Sequence, residues 1–281
     1  MISCAIILAG GKGERLRPLT EDRPKAMVEL LGKPLIDYQI NWLSSYGINK
    51  ITIACGWRHE VIRNYLGDGK KWNVAVNYVV EEQPLGRGGA LKGALKILMP
   101  FNQPVFSVNG DIICNLNLHS MQEFHNQRGG IATLASVALK SPYGILDLKG
   151  DSSIAGFREK PELPYWINGG IYVLESSIIE LLPDLGDHEE TTFPALAAAG
   201  KLQAFKTDAL WRSVDTVKDL TELTRELESR RGALHAPVDR SIPRPIASRS
   251  PNDSVSTAGK MPALPGAALL KAPPSSGAHN V

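Results

Sequence analysis

The sequence is short of cysteine, of net charge and of long apolar runs, and each shortage excludes a class of protein. The three cysteines, Cys4, Cys55 and Cys114, lie far apart and form no C-x-x-C pair, so we expect neither a disulfide framework nor a zinc site. A formal net charge of +2 over 281 residues argues against a surface for nucleic acid. No apolar run approaches the ~20 residues of a membrane helix, and we expect a cytoplasmic protein with no membrane partner.

Aromatic residues are absent from residue 233 onward, where eight of the 19 prolines fall. A segment of this composition cannot bury enough apolar surface to offset the entropy lost on ordering. We therefore predict one folded domain over residues 1–232 and a disordered tail over residues 233–281. The alternative is a short arm that packs on a partner subunit, which leaves a homo-oligomer open.

Short β-branched runs alternate with helical patterns in the first half of the chain. Apolar spacing predicts strands over residues 3–9, 50–55, 74–80 and 104–109, and helices over residues 34–46, 59–66 and 91–98. The second half is richer in strands, predicted over residues 131–138, 144–148, 154–158 and 170–174, with helices over residues 177–182, 193–199 and 217–231. This order predicts an α/β fold, a doubly wound and mostly parallel sheet with a β-rich insertion that carries the second half of a cleft.

A glycine-rich turn follows the first predicted strand directly. Gly10, Gly11 and Gly13 let the backbone come close to phosphates and a base, with its N–H groups toward the negative oxygens. Arg15 adds a guanidinium whose fork suits a pyrophosphate group. The turn matches neither a P-loop nor a G-x-G-x-x-G fingerprint. The simpler interpretation is an ordinary turn between a strand and a helix, with solvated cations.

Two further charged residues stand where they suit phosphate and metal chemistry. Lys25 follows Pro24, whose ring restrains the backbone, and it can serve as a second cation for a phosphate. Asp111 ends an apolar strand, and the carboxyl end of a strand in an α/β sheet suits a ligand of Mg²⁺. Taken alone, Lys25 could equally face solvent and Asp111 could cap the next helix.

These residues belong to a series of motifs. Residues 8–20 read L-A-G-G-K-G-E-R-L-R-P-L-T and are followed by Pro24-Lys25, a pattern that resembles the sugar-1-phosphate nucleotidylyltransferase family. Later segments resemble the family's base loop (residues 82–90), its metal-binding strand end (108–111) and its two sugar-phosphate segments (157–161 and 168–172) in the same order. The resemblance implies a Rossmann-like nucleotide domain with an inserted sugar-binding half, in agreement with the predicted strands and helices.

The resemblance also implies a role for each residue that matches a family motif. Catalysis falls to Arg15 and Lys25, and binding of the Mg²⁺ cofactor to Asp111 and Asp215. Nucleotide binding falls to Leu8, Ala9, Gly10, Gly11, Gly13, Gln83, Gly88 and Gly89. Sugar-phosphate binding falls to Asn109, Gly144, Glu159, Lys160, Asn168 and Gly170, with Glu159 on the sugar hydroxyls and Lys160 on the phosphate.

The chain departs from the family at its second metal ligand. The family commonly has W-x-D-x-G-T, whereas residues 211–216 read W-R-S-V-D-T, with Ser213 at the usual aspartate position. Residues two apart in an extended segment point to the same face. We therefore expect Asp215 to reach the same ion, as in the similar glucose-1-phosphate cytidylyltransferase branch.

The implied partners are a nucleoside triphosphate and a sugar 1-phosphate, which react by direct in-line attack with release of pyrophosphate. Residues 84–89 and 168–170 look closest to guanylyltransferases that use GTP with mannose or heptose 1-phosphate. The shifted aspartate favours a cytidylyltransferase, and thymidylyl or uridylyl transfer stays open. One rival is a non-catalytic regulatory subunit that binds sugar nucleotides, although Arg15, Lys25 and Asp111 are all present. Another is a bifunctional enzyme with an acetyltransferase β-helix, whose hexapeptide repeats the tail lacks.

Overall fold

The computed structural model describes residues 1–98 and 103–230, which all lie within one compact unit. The strands are β1 (Cys4–Leu8), β2 (Glu29–Leu30), β3 (Lys33–Pro34), β4 (Lys50–Cys55), β5 (Ala75–Val80), β6 (Val105–Asn109), β7 (Ile112–Cys114), β8 (Ala132–Lys140), β9 (Ile145–Leu148), β10 (Ile154–Arg158), β11 (Glu162–Leu174), β12 (Leu202–Lys206) and β13 (Trp211–Ser213). The α-helices are α1 (Leu35–Ser45), α2 (His59–Leu66), α3 (Gly86–Leu98), α4 (Leu118–Arg128), α5 (Thr192–Ala198) and α6 (Val217–Ser229).

Seven strands form the central sheet in the order β12-β8-β11-β6-β1-β4-β5. Strands β6, β1, β4 and β5 are parallel neighbours, and β12 is parallel to β8. The long strand β11 is antiparallel to both β6 and β8 and joins the two parallel parts. Within the described part of the chain, three further sheets have two strands each: β2–β3, β7–β13 and β9–β10. The predicted α/β fold with a mostly parallel sheet is confirmed.

Helices cover both faces of the central sheet because its strands are apolar on both sides. In β1, Ala5 and Ile7 belong to one buried cluster and Cys4 and Ile6 to another, as alternation along a strand requires. The first cluster includes residues of α1 and α2, and the second includes residues of α3 and α5. A third cluster holds α6 through Leu223, together with Ile113 and Val214.

Two predicted elements, α3 and β11, begin several residues earlier in the structure than predicted. Helix α3 starts at Gly86 rather than at residue 91, so the glycine-rich motif forms the first turns of a helix. Gly89 is buried there, and a Cβ on it would lie 2.5 Å from the carbonyl oxygen of Asp184. The low helix propensity of glycine hides this packing requirement from a sequence pattern. Strand β11 starts at Glu162 rather than at residue 170.

Among the strands and α-helices of the described residues, six went unpredicted: β2, β3, α4, β7, β12 and β13. The two strands β7 and β13 have three residues each, too few for a periodic signal, and α4 buries only a few of its side chains. The predicted helix over residues 177–182 is a short 3₁₀ helix, Ser176–Glu180. The predicted tail lies outside the described residues. Among the helices that the structure describes, none has the length and apolar content to cross a membrane.

Candidate active site

A cavity of about 870 Å³ opens at the carboxyl ends of β1, β4, β5 and β6. Ligands of α/β folds bind at these strand ends, where the connecting loops meet. Segments distant in sequence complete its wall. Among the predicted site residues, the lining contains Leu8, Ala9, Gly10, Gly11, Gly13, Arg15, Lys25, Asn109, Asp111 and Asp215.

The glycine-rich turn is tied to the segment that carries Lys25. Gly13 has a φ of 67°, a left-handed conformation that favours glycine, and a Cβ there would lie 3.0 Å from the Cβ of Lys25. The hydroxyl of Thr20 donates to the Gly13 carbonyl oxygen at 2.8 Å, and the backbone N–H of Lys25 donates to the Gly11 carbonyl oxygen at 3.4 Å. The shape of the turn and the position of Lys25 are therefore determined together.

Two cations and two carboxylates meet at one end of the cavity, and we call them the phosphate cluster: Arg15, Lys25, Asp111 and Asp215. Lys25 Nζ donates to Asp111 Oδ2 and to Asp215 Oδ1, the second at 2.7 Å. Arg15 Nη2 donates to the same oxygen of Asp215 at 2.7 Å. The structure thus brings together all four residues that were predicted for catalysis and metal binding.

The β7–β13 sheet explains why two aspartates so far apart in sequence meet. Ile112 pairs with Ser213, so the residues that flank the pair, Asp111 and Val214, are also neighbours. The backbone N–H of Val214 donates to the carbonyl oxygen of Asp111 at 3.0 Å. Asp111 follows β6 and Asp215 follows β13, and the two short strands join them.

Ser213 and Asp219 hold Asp215 in addition to the two cations of the cluster. Ser213 Oγ donates to Asp215 Oδ2 at 2.7 Å, and the Asp215 backbone N–H donates to Asp219 at 3.1 Å. Asp219 and Thr216 form the capping box that begins α6. Burial by itself raises the pKa of Asp215, but hydrogen bonds from Lys25 and Ser213 outweigh it, so the pKa lies below its ordinary value. Asp215 is therefore a carboxylate at neutral pH.

Asn109 and Gly170 lie against each other beside the cavity. Gly170 has a φ of 66°, and a Cβ on it would lie 2.7 Å from the side-chain nitrogen of Asn109. The Asn168 amide is occupied within the protein: it donates to Tyr172 and to Glu189, each at 3.0 Å, and accepts from the Gly170 N–H at 3.0 Å. Of these three predicted sugar-phosphate residues, Asn109 lines the cavity and the other two support it.

The remaining predicted sugar-phosphate residues belong to the β9–β10 ribbon and its ends. Gly144 lies beside Phe157 and Glu159, since a Cβ on it would come within 2.7 Å of the Phe157 ring and 3.1 Å of a Glu159 oxygen. Lys160 follows with a φ of 44°. None of Gly144, Glu159 and Lys160 lines the cavity as the structure describes it. Their role in sugar binding stays a prediction.

Three residues predicted to contact the nucleotide lie outside the cavity lining. Gln83 is exposed on the loop before α3. Gly88 and Gly89 are buried within α3, where the Gly88 N–H already donates to the carbonyl oxygen of Gly186 at 2.9 Å. The structure thus supplies a packing reason for both glycines, and the predicted contacts with a base stay untested.

Several residues that line the cavity were not predicted from the sequence, among them Trp57 and Glu81. Trp57 follows β4 and has cations over its ring: Lys12 Nζ at 5.7 Å and the Arg58 guanidinium carbon at 5.3 Å from the centroid. Glu81 follows β5 directly. The available signal was their position, because each comes just after a predicted strand of a parallel sheet.

A family model described as nucleotidyl transferase matches residues 4–230. The chain belongs to this family. The match includes every residue of the phosphate cluster, the glycine-rich turn and the β9–β10 ribbon.

Curated relatives of this chain have names that state a substrate as well as the family. The mannose-1-phosphate guanyltransferase of Pichia angusta is 40% identical over 224 residues, which cover 76% of this chain and 61% of the relative. The protein of the same name from Yarrowia lipolytica is 38% identical with the same coverage. The chain spans about three fifths of the length of these curated relatives.

Solved structures share the fold of this nucleotidyl transferase. HddC from Yersinia pseudotuberculosis is 28% identical with a TM-score of 0.65, over 80% of this chain and 100% of HddC. The complex of the same protein with GMP-PN is 26% identical with a TM-score of 0.64, and covers the same shares.

The phosphate cluster fits the divalent metal that the family uses. Asp111 and Asp215 both reach the single ammonium of Lys25, so both can also face one small cation. Among the described residues, no group of three or more His, Cys, Asp and Glu side chains comes together as a metal site. Two carboxylates suffice for a hard cation that also takes substrate phosphates and water as ligands.

Proposed function

We propose that this nucleotidyl transferase transfers the guanylyl group of GTP to mannose 1-phosphate, releasing pyrophosphate, with Mg²⁺ as its metal. The observation that carries the proposal is the phosphate cluster beside the glycine-rich turn. The relatives named mannose-1-phosphate guanyltransferase support the choice of substrates. The complex of HddC with GMP-PN supports a guanine nucleotide.

The reaction requires no nucleophilic side chain. A phosphate oxygen of mannose 1-phosphate attacks the α-phosphorus of GTP, and the bond from that phosphorus to the oxygen of the pyrophosphate group breaks. The electron pair of the broken bond leaves with pyrophosphate, and the new bond makes GDP-mannose. Because the attacking oxygen is already an anion, catalysis depends on alignment and on neutralisation of charge.

The residues of the cluster divide these tasks by their exposure. The Arg15 side chain is 72% exposed at the mouth of the cavity, where its fork suits the leaving pyrophosphate. The Lys25 side chain is only 15% exposed, and its ammonium suits the crowded reacting phosphates. Backbone N–H groups of the turn add donors to the phosphates. When bound by Asp111 and Asp215, the metal supplies further charge neutralisation.

The sugar phosphate is assigned to the side of the cavity where Asn109 lies. Glu159 is proposed to bind the sugar hydroxyls, and Lys160 to bind the phosphate. Both residues come directly after β10 and are exposed, outside the buried core.

The test is a screen for pyrophosphate release that pairs each of GTP, CTP, UTP and dTTP with mannose, heptose and glucose 1-phosphates. We expect the highest kcat/KM for GTP with mannose 1-phosphate. Asp111→Asn is the control, because it keeps the side-chain shape and removes the charge. A preference for another pair would replace the substrates proposed here. Binding without turnover for every pair would support the non-catalytic alternative.

A further inference from the structure

The turn that carries Asp111 is held from behind by a side chain of α1. Gly110 and Asp111 connect β6 with β7, and both line the cavity. Gln39 Nε2 donates to the carbonyl oxygen of Asn109 at 2.8 Å and to that of Ile112 at 2.9 Å. One side chain therefore bridges the two residues that flank the turn.

The contacts of Gln39 fix the orientation of its amide. Both partners are carbonyl oxygens, which only accept, so the amide nitrogen must face them and both of its hydrogens are used. The residue is 2% exposed, so water has little access to these bonds. Its Oε1 is buried and finds no donor among the described residues. Because a buried oxygen without a partner is destabilising, the amide contributes less to stability than its two hydrogen bonds alone would.

The pairing of β7 with β13 directs the second of these carbonyl groups toward α1. The Asp111 carbonyl oxygen accepts from the Val214 N–H at 3.0 Å and so faces β13. Successive carbonyl groups of a strand point to opposite sides, so that of Ile112 faces away from β13 and meets Gln39. The backbone at Asp111 is therefore fixed from both sides, by β13 and by α1.

The two carboxylates of the phosphate cluster differ in how they are supported. The Asp215 oxygens accept hydrogen bonds from Ser213, Lys25 and Arg15. The Asp111 carboxylate has, within the part of the chain that the structure describes, only Lys25 as a side-chain partner. Because the aspartate side chain is short, a shift of the turn moves this carboxylate directly. The position of Asp111 therefore depends mainly on its backbone.

We propose that Gln39 is a positioning residue of the metal site, which holds the Asp111 carboxylate in the direction that metal binding requires. The inference rests on the proposed role of Asp111 as a ligand of Mg²⁺. This ion demands a near-octahedral set of oxygens, so a ligand must be held to within about 0.5 Å. Gln39 lies outside the cavity lining and acts through the turn.

Gln39→Met tests the inference, because methionine has a similar length and volume and no donor. We expect the Kd for Mn²⁺ alone, measured by electron paramagnetic resonance of the free ion, to rise about tenfold, as it does when an outer-shell partner is lost at other metal sites. At limiting Mg²⁺, kcat should fall by about tenfold and should recover in part at saturating Mg²⁺. KM for mannose 1-phosphate should change little, since the sugar side of the cavity is untouched.

Trp42→Phe is the matched control on the same helix. Trp42 Nε1 donates to the Leu116 carbonyl oxygen at 3.0 Å, so α1 also holds the chain after β7 by a bond that does not involve the turn. We expect this variant to lose that bond and to retain the Mn²⁺ affinity of the unmodified protein. Thermal unfolding compares the two variants, and Gln39→Leu takes the place of Gln39→Met if the methionine variant does not fold.

Combining Gln39→Met with Asp111→Asn separates positioning from a general effect on the fold. We expect Gln39→Met to weaken Mn²⁺ binding no further once the carboxylate is gone. The inference is overturned by an unchanged Mn²⁺ affinity in Gln39→Met, by an equal loss in Trp42→Phe, by a further loss in the combined variant, or by failure of both Gln39 variants to fold. If Asp111→Asn itself binds Mn²⁺ normally, the metal site of the proposed function fails as well.

Discussion

The phosphate cluster and the β9–β10 ribbon are built in opposite ways. The strands β6 and β7, which lead to the cluster, are almost entirely buried, and every charged residue of the cluster contacts another. The ribbon is mostly exposed, with Leu148 at 65% and Phe157 at 63% exposure. If the two regions bind the substrates as proposed, the phosphate chemistry depends on the buried core, and sugar choice depends on an exposed part that can change at little cost to stability.

The comparison is tested most strongly at Asp215, where the chain departs from its family. We expect Asp215→Asn to lower turnover about 10³-fold and to weaken metal binding, because it removes one of two carboxylates from the cluster. Ser213→Ala should lower turnover only slightly. The serine is a poor metal ligand, and Arg15 and Lys25 still hold Asp215 when its hydrogen bond is lost. Activity and Mn²⁺ binding, each measured against metal concentration, check both variants. A fully active Asp215→Asn protein would contradict the two-carboxylate site.

Arg15 should show a smaller but still large effect. We expect Arg15→Lys to lower turnover about 10²-fold, because the substitution keeps the charge and loses the fork that binds two phosphate oxygens. The melting temperature should barely move, since the side chain is largely exposed. Single-turnover kinetics and thermal unfolding measure the two effects. Unchanged kinetics in Arg15→Lys would contradict a role of Arg15 in the reaction.

Substitution of two glycines, one in each region, compares the rigidity of the phosphate cluster with that of the β9–β10 ribbon. A Cβ on Gly110 would lie 2.8 Å from the backbone carbonyl oxygen of Leu8 in the central sheet, whereas a Cβ on Gly144 would meet the exposed ring of Phe157. We expect Gly110→Ala to lower the free energy of unfolding by about 1–3 kcal/mol. Gly144→Ala should lower it by less than about 0.5 kcal/mol, because the ring can move, and should act instead on KM for the sugar phosphate.

Urea denaturation and steady-state kinetics give the two readouts for this pair. Equal destabilisation by both substitutions would contradict the contrast between a rigid phosphate end and an adaptable ribbon.

The last prediction concerns the buried cysteines of the core, which we expect not to react with a thiol reagent. Burial raises the pKa of Cys55 to about 11 and that of Cys114 to about 12, so at pH 8 their thiolate fractions are very small. We expect neither to react with iodoacetamide at pH 8 in the native protein, as mass spectrometry can show. Leu148→Cys, on the exposed ribbon, should react at the rate of a free thiol. Rapid labelling of Cys114 would show that the β7–β13 sheet opens readily.

Local sequence patterns predicted much of the fold. Strands β1, β4, β5 and β6 and helices α1 and α2 were found within one residue at each end, because apolar spacing reports burial directly. The long strand β11 was found only in part. Its first half pairs with the outer end of β8 and is mostly exposed. Apolar and polar residues therefore do not alternate there in the way that predicts a strand.

For this protein, the sequence by itself determined most strands of the central sheet with the helices between them, the glycine-rich turn and the residue types of the phosphate cluster, because each depends on local backbone preference or on a short motif. Only the tertiary structure decided which of those residues meet. Asp215 reaches Lys25 because β13 pairs with β7, and Glu81 enters the cavity because β5 lies beside β4. Register and neighbour order arise from contacts between distant segments, which no local pattern contains.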